Sequence, residues 1–195
     1  MISYAADALE HYLTWPVVLT ALLCGACCAW ACARAVRQKR IGSARGVALT
    51  ALCVYLVLIF GMLIFVRAVK GGRHFNFELF WSYRAIARGR RYLLHQDLLN
   101  VLLFVPFGVL CQLSLRRPCF WKVLCAGTAL SILVEVLQGL TERGLFELDD
   151  LFHNIVGTAV GAGALALFLY CRSRRTRGTH DVGDGPVQRV GEKEA

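Results

Sequence analysis

The chain has 195 residues, 57% of them hydrophobic and 18% charged, with a mean hydropathy of +0.53 and a formal net charge of +9. This balance is too apolar for a soluble domain of ordinary make-up and points to a membrane protein. The positive charge does not point to nucleic acid, because the basic residues are scattered among the links between apolar runs and a tail.

Crossing roughly 30 Å of hydrocarbon at 1.5 Å per residue takes about 20 apolar residues in a helix. Five runs meet that length: about Thr14 to Ala33, Val47 to Val69, Leu98 to Leu115, Phe120 to Leu140 and Leu151 to Cys171. Each is predicted to be helical, since a backbone amide left unpaired in lipid costs several kcal/mol and a helix pairs its amides within one segment. The fold class predicted is therefore an all-α, polytopic membrane protein of about five transmembrane helices. The first dozen residues carry Asp7 and Glu10 but no Lys or Arg, so a basic leader region is missing and the first span is expected to remain.

Basic residues are retained on the cytoplasmic side. The link after the first span holds Arg34, Arg37, Lys39, Arg40 and Arg45, the link after the third holds Arg116, Arg117 and Lys122, and the tail opens with Arg172, Arg174, Arg175 and Arg177. The expected orientation is thus N-terminus outside and C-terminus inside. One link breaks the pattern: residues 67–97 carry Arg67, Lys70, Arg73, Arg84, Arg88, Arg90 and Arg91, yet alternation puts them outside. The chain divides into a first span with its basic link (1–46), a membrane domain (47–171) and a basic tail (172–195) expected to be disordered beyond Gly178 for want of apolar periodicity.

Under this topology no cysteine falls in an outer loop. Cys24, Cys27, Cys28 and Cys32 share a face of the first span and read as small apolar packing residues rather than a metal cluster. No metal ligand set and no cofactor is assigned from the sequence.

The polar residues inside the spans are more informative. In the fourth, Thr128, Ser131, Glu135 and Gln138 form one stripe; in the fifth, Asp150, Asn154, Gly157 and Gly161 form another. A carboxylate at mid-depth costs about 2.5–3.5 kcal/mol on insertion scales, so Glu135 is expected to face a partner or a wet cavity. Gly157 and Gly161 form a small-x-x-x-small pair that admits another helix backbone. The third span opens with Asp97 and Asn100 and carries Pro106, which predicts a kink. Asn100, Glu135, Gln138, Asp149, Asp150 and Asn154 are all placed within about two turns of one membrane face. The segment ELDDLFHN (147–154) is expected both to cap the fifth span, where the helix dipole favours negative charge, and to rim a pocket.

The pieces NVLLFVPFG (Asn100, Phe104, Pro106, Gly108), EVLQ (Glu135, Gln138) and FELDDLFHNIVGTAVG (Phe146, Asp149, Asp150, Asn154, Gly157, Gly161) resemble the VanZ-like membrane proteins over roughly residues 50–170. RHFNFELF, with Arg73, Asn76 and Phe80, is similar to that family's Arg-x-x-Asn-Leu-x-Pro-Phe element, departing from it at Phe77 and Leu79, and Glu147 stands where an Asp is usual. The resemblance implies a multi-pass protein of the bacterial cytoplasmic membrane, and its namesake is linked to low-level resistance to the lipoglycopeptide teicoplanin.

The leading expectation is a non-enzymatic envelope protein that binds an anionic lipid-linked ligand at the outer leaflet, such as a cell-wall precursor or the lipoglycopeptide. Arginine forks bind phosphate and carboxylate bidentately. The ligand-binding set expected is Arg73, Asn76, Asn100, Glu135, Gln138, Asp149, Asp150 and Asn154. A bland reading makes the 67–97 link an interfacial segment anchored by Trp81 and Tyr83. The enzyme alternative is a membrane-embedded hydrolase or transferase with Glu135 as general base, Asp149 and Asp150 holding a divalent cation, and Glu135 and Asp150 as the catalytic candidates. His95 and His153 are bases by residue type only. A third reading treats the buried polar groups as interhelical glue, worth about 0.6 kcal/mol each. The oligomeric state is not legible.

Overall fold

A computed structural model describes the backbone of residues 2–61, 75–142, 144 and 146–180, and side chains within 15–61, 76–142, 144 and 146–174. The described elements are α1 (Ile2–Arg37), α2 (Ser43–Phe60), β1 (Phe75–Asn76), α3 (Trp81–Ala87), α4 (Tyr92–Ser114), α5 (Phe120–Leu140), β2 (Phe146–Glu147) and α6 (Leu148–His180). Five helices are long and apolar enough to cross a membrane: Trp15–Arg37, Ser43–Phe60, Tyr92–Ser114, Phe120–Leu140 and Leu148–Arg174. The protein is all-α and polytopic, as composition and run length require.

The helix ends differ from the hydropathy boundaries where polar residues find shelter. α4 starts at Tyr92 rather than Leu98, because Asp97 is buried against neighbouring elements and does not end the helix. α6 runs past Cys171 through Arg172–Arg177 to His180, where cations suit the negative end of the helix dipole. α4 continues unbroken through Pro106. The expected end of the second span at Val69 lies outside the described residues.

α4 and α6 form the closest pair. A Cβ added at Gly157 would stand 2.2 Å from the Val101 carbonyl oxygen, and one at Gly161 2.1 Å from that of Val105. Both numbers rise together along the two helices, so α4 and α6 run parallel. Gly108 completes the contact from the other side, with the Thr158 carbonyl 2.4 Å from its would-be Cβ. These are backbone atoms that cannot swing aside, so the small residues set the interhelical distance. On the facing side of α6, Gly127 of α5 makes room for the Thr158 side chain. The apolar core lies alongside: Phe104, Phe107, Leu130 and Val134, flanked by Leu52, Tyr55, Leu56 and Phe60 of α2. The Tyr55 hydroxyl donates to the Leu103 carbonyl and ties α2 to α4.

At the end of the bundle carrying the first and third links, Arg45 Nε donates to the Ser114 carbonyl at 2.7 Å. A cation there satisfies a carbonyl that the end of α4 leaves unpaired.

Candidate functional site

The opposite end is held by a clasp between two links far apart in sequence. β1 and β2 pair in parallel, with Phe75 beside Phe146 and Asn76 beside Glu147. Asn76 Oδ1 accepts the Glu78 amide at 3.0 Å, an Asx turn that redirects the chain after β1 despite the absence of a proline at Leu79. Phe80 then adopts a left-handed φ of 63°. That conformation costs a non-glycine residue about 1–3 kcal/mol and persists only where its surroundings fix it. Asp149 fixes it. One carboxylate oxygen accepts the Phe80 amide and the other accepts the Ser82 amide at 2.8 Å. Asp149 lies in the first turn of α6, where the sequence places an acid, but its carboxylate bonds cap α3, and it is 1% exposed. The Phe80 ring stacks edge-on against Phe152 and Tyr83, at centroid distances of 5.3 and 5.8 Å.

Capping orients α3 so that Tyr83 reaches α6. Its hydroxyl lies 2.8 Å from His153 Nε2. Burial, then the charges of Asp97 and Asp149, hold the Tyr83 phenol above its ordinary pKa. His153 Nε2 also stands 3.9 Å from Asp97 Oδ2. One ligand-capable atom from each of Asp97, Asp150 and His153 lies within 4.8 Å of the others, and all three residues are buried. Asp97 Oδ2, His153 Nδ1 and Asn100 Nδ2 are buried without a hydrogen-bond partner among the described residues. A cavity of about 170 Å³ opens beside this group, lined by Tyr83, Leu94, Asp97, Leu98, Val101 and His153. Leu94 and Leu98 are more than half exposed, so the cavity opens on the flank of the bundle that lipid would cover.

A second polar layer lies between α5 and the start of α6. Glu135, 2% exposed, accepts the Glu147 amide through Oε2 at 3.2 Å. Gln138 packs beneath Gly144 and is equally buried. Asn154 Nδ2 donates to Ser131 Oγ at 2.8 Å, and Thr158 Oγ1 donates back to the Asn154 carbonyl at 3.0 Å. The Asn154–Ser131 pair is interhelical glue in the ordinary sense.

Above both layers, α3 presents its basic face. Glu78, Trp81, Arg84, Ala85, Arg88 and Arg90 line a cavity of about 580 Å³. Arg84 pairs with Glu78 at 3.2 Å, but both side chains are well over half exposed, and such a pair adds little stability.

Of the residues expected in the site, Asn76, Asn100, Glu135, Gln138, Asp149, Asp150 and Asn154 come to one end of the bundle. Arg73 lies outside the described residues. Asp149 and Asn76 serve the local architecture, holding α3 and the turn before it. Sequence reasoning left Asp97 and His153 out of the site set. A signal existed: Asp97 and Asn100 on α4, and Asp150 and His153 on α6, share i, i+3 spacing at the starts of two helices that begin at the same end. His95, the other candidate base, is exposed.

No curated protein and no solved structure matches the chain. The family model described as VanZ/LLP1 matches residues 49–169. That span takes in two-thirds of α2, the whole clasp, the Asp97–Asp150–His153 group and the α4–α6 contact, and it leaves α1 outside. Covering more than half of the sequence, the match establishes that this multi-pass membrane protein belongs to the VanZ/LLP1 family.

Proposed function

We propose that the protein binds the anionic head group of a lipid-linked or lipid-anchored ligand at the outer leaflet of the bacterial cytoplasmic membrane, and that this underlies low-level resistance to teicoplanin. The observation that carries the reading is the arginine-lined cavity on α3, set directly over the capped α3–α6 junction. Arg84, Arg88 and Arg90 supply forked donors to phosphate or carboxylate, and Trp81 supplies an amphipathic surface at the same level. The flank of Leu94 and Leu98 gives an attached acyl or polyprenyl chain a surface that never leaves hydrocarbon. A merely floating interfacial helix needs no such anchoring, whereas α3 is held by two amide bonds to one carboxylate.

The test replaces Arg84, Arg88 and Arg90 together with Gln in the full chain. Native mass spectrometry of the detergent-solubilised protein then follows titration with a polyprenyl phosphate and, separately, with phosphatidylcholine. Charge-assisted hydrogen bonds contribute about 1.5–3 kcal/mol each, so the triple variant should bind the polyprenyl phosphate more than about tenfold more weakly. Phosphatidylcholine binding should not change. Expression in a susceptible bacterium should raise the teicoplanin concentration needed for inhibition, and the triple variant should not. Equal polyprenyl phosphate binding by both forms would sink the reading.

A second reading, a hydrolase or transferase acting on the same ligand, is favoured by the buried Asp97–His153 approach beneath the groove. It predicts release of phosphate or exchange of the head group on incubation with the polyprenyl phosphate, abolished in His153→Gln.

A further inference from the structure

We propose that Asp97, Asp150 and His153 form a site for one divalent cation of the zinc or manganese class, with its open coordination positions turned toward the cavity beside Tyr83. Two helices that begin at the same end of the bundle supply the donors: α4 gives Asp97, and the first two turns of α6 give Asp150 and His153 at i, i+3. One ligand atom from each lies within 4.8 Å of the other two, a spacing one ion between them can bridge.

Independent of that proximity, the group contains an unsatisfied acceptor aimed into it. Asp97 is 6% exposed, and its Oδ2 has no hydrogen-bond donor among the described residues. His153 Nε2 stands 3.9 Å from it, too far for a hydrogen bond. His153 Nδ1 is likewise buried without a hydrogen-bond partner among the described residues.

The donor set selects the class. Magnesium and calcium prefer all-oxygen shells, whereas one imidazole nitrogen with carboxylate oxygens suits zinc or manganese. Three protein ligands leave at least one position for water or another oxygen, the pattern of a working rather than a purely structural site. The adjoining cavity of about 170 Å³ gives that position access, and Tyr83, 45% exposed, can turn its hydroxyl away from Nε2 without disturbing the core. That the open position receives a phosphate oxygen of the head group rests on the function proposed above; the cation site itself does not.

The experiment uses the full chain in detergent, stripped with a chelator, dialysed, and titrated with Zn²⁺ alone and Mn²⁺ alone. About one ion per chain should bind. Zinc X-ray absorption should show only light donors at about 2.0–2.2 Å, with the multiple-scattering signature of one imidazole. Asp97→Asn and His153→Gln should each weaken binding by roughly 100-fold or more, while Cys125→Ser, at an exposed cysteine of α5, leaves it unchanged. Sulfur at about 2.3 Å would assign the ion to the cysteines and overturn the proposal. So would a stoichiometry near zero, or affinity unaffected in a folded Asp97→Asn chain. If either ligand variant fails to fold, the donor shell of the unsubstituted protein still decides. Because no lipid is present, this outcome is independent of polyprenyl phosphate binding by the Arg84/Arg88/Arg90 variant.

Discussion

The pair α1–α2 and the trio α4–α5–α6 are both built from helices long and apolar enough to cross a membrane but use them differently. In the membrane-length windows of α1 and α2, 17% of residues are buried, against 33%, 44% and 28% in α4, α5 and α6. The pair meets through small residues and sulfur: Gly25 under Val54, Cys28 Sγ 3.8 Å from the Leu49 carbonyl, and Cys53 Sγ 3.9 Å from the Cys24 carbonyl. Such thiol contacts are weak, so the cysteines act as soft packing groups. The trio buries Asp97, Ser131, Glu135, Gln138, Asp150, His153 and Asn154. In hydrocarbon a polar side chain is tolerated only where another element faces it, so one region can carry chemistry while the other carries packing. The family match takes in the trio together with two-thirds of α2 and leaves α1 aside.

The comparison breaks most sharply at the α4–α6 contact. Gly161→Leu should drive side-chain atoms into the Val105 carbonyl and lose about 3 kcal/mol or more, seen as aggregation on size exclusion and a large fall in thermal midpoint. Gly163→Ala, two residues along the same helix with nothing within 4 Å of its would-be Cβ, should behave as the unsubstituted protein. Comparable losses from both substitutions would show that close helix approach is not what holds the trio.

Next in size is Asp149→Ala, which strands the Phe80 and Ser82 amides and removes the support for a left-handed Phe80. Each buried amide left unpaired costs about 1–3 kcal/mol. Hydrogen exchange should rise across residues 80–87 while α5 stays protected. Protection lost equally throughout would mean Asp149 supports the whole bundle rather than α3.

Asn154→Ala removes the Asn154–Ser131 bond and should cost about 0.6 kcal/mol, within the range of an interhelical polar contact. In the peripheral pair, Arg45→Gln loses the bond to the Ser114 carbonyl and should lower stability by about 0.3–1 kcal/mol, with polyprenyl phosphate binding intact. A binding defect in Arg45→Gln would link the two ends of the molecule and blur the division drawn here.

Sequence by itself determined the class, the five spans and the end of the bundle where the polar residues gather. These follow from composition and from residue spacing along single helices, which are properties of local chain geometry. Glu135, Gln138, Asp150 and Asn154 were legible because a carboxylate or amide in an apolar run stands out without a partner being known. Tertiary structure alone decided which groups meet. The parallel approach of α4 and α6 brings Asp97 to His153, the clasp of β1 on β2 carries α3 over α6, and Asp149 turns to cap a helix 67 residues upstream. No periodicity encodes these pairings, because each depends on how separate elements are set against one another; between α4 and α6 that setting is fixed by Gly108, Gly157 and Gly161 through the backbone atoms they allow to touch.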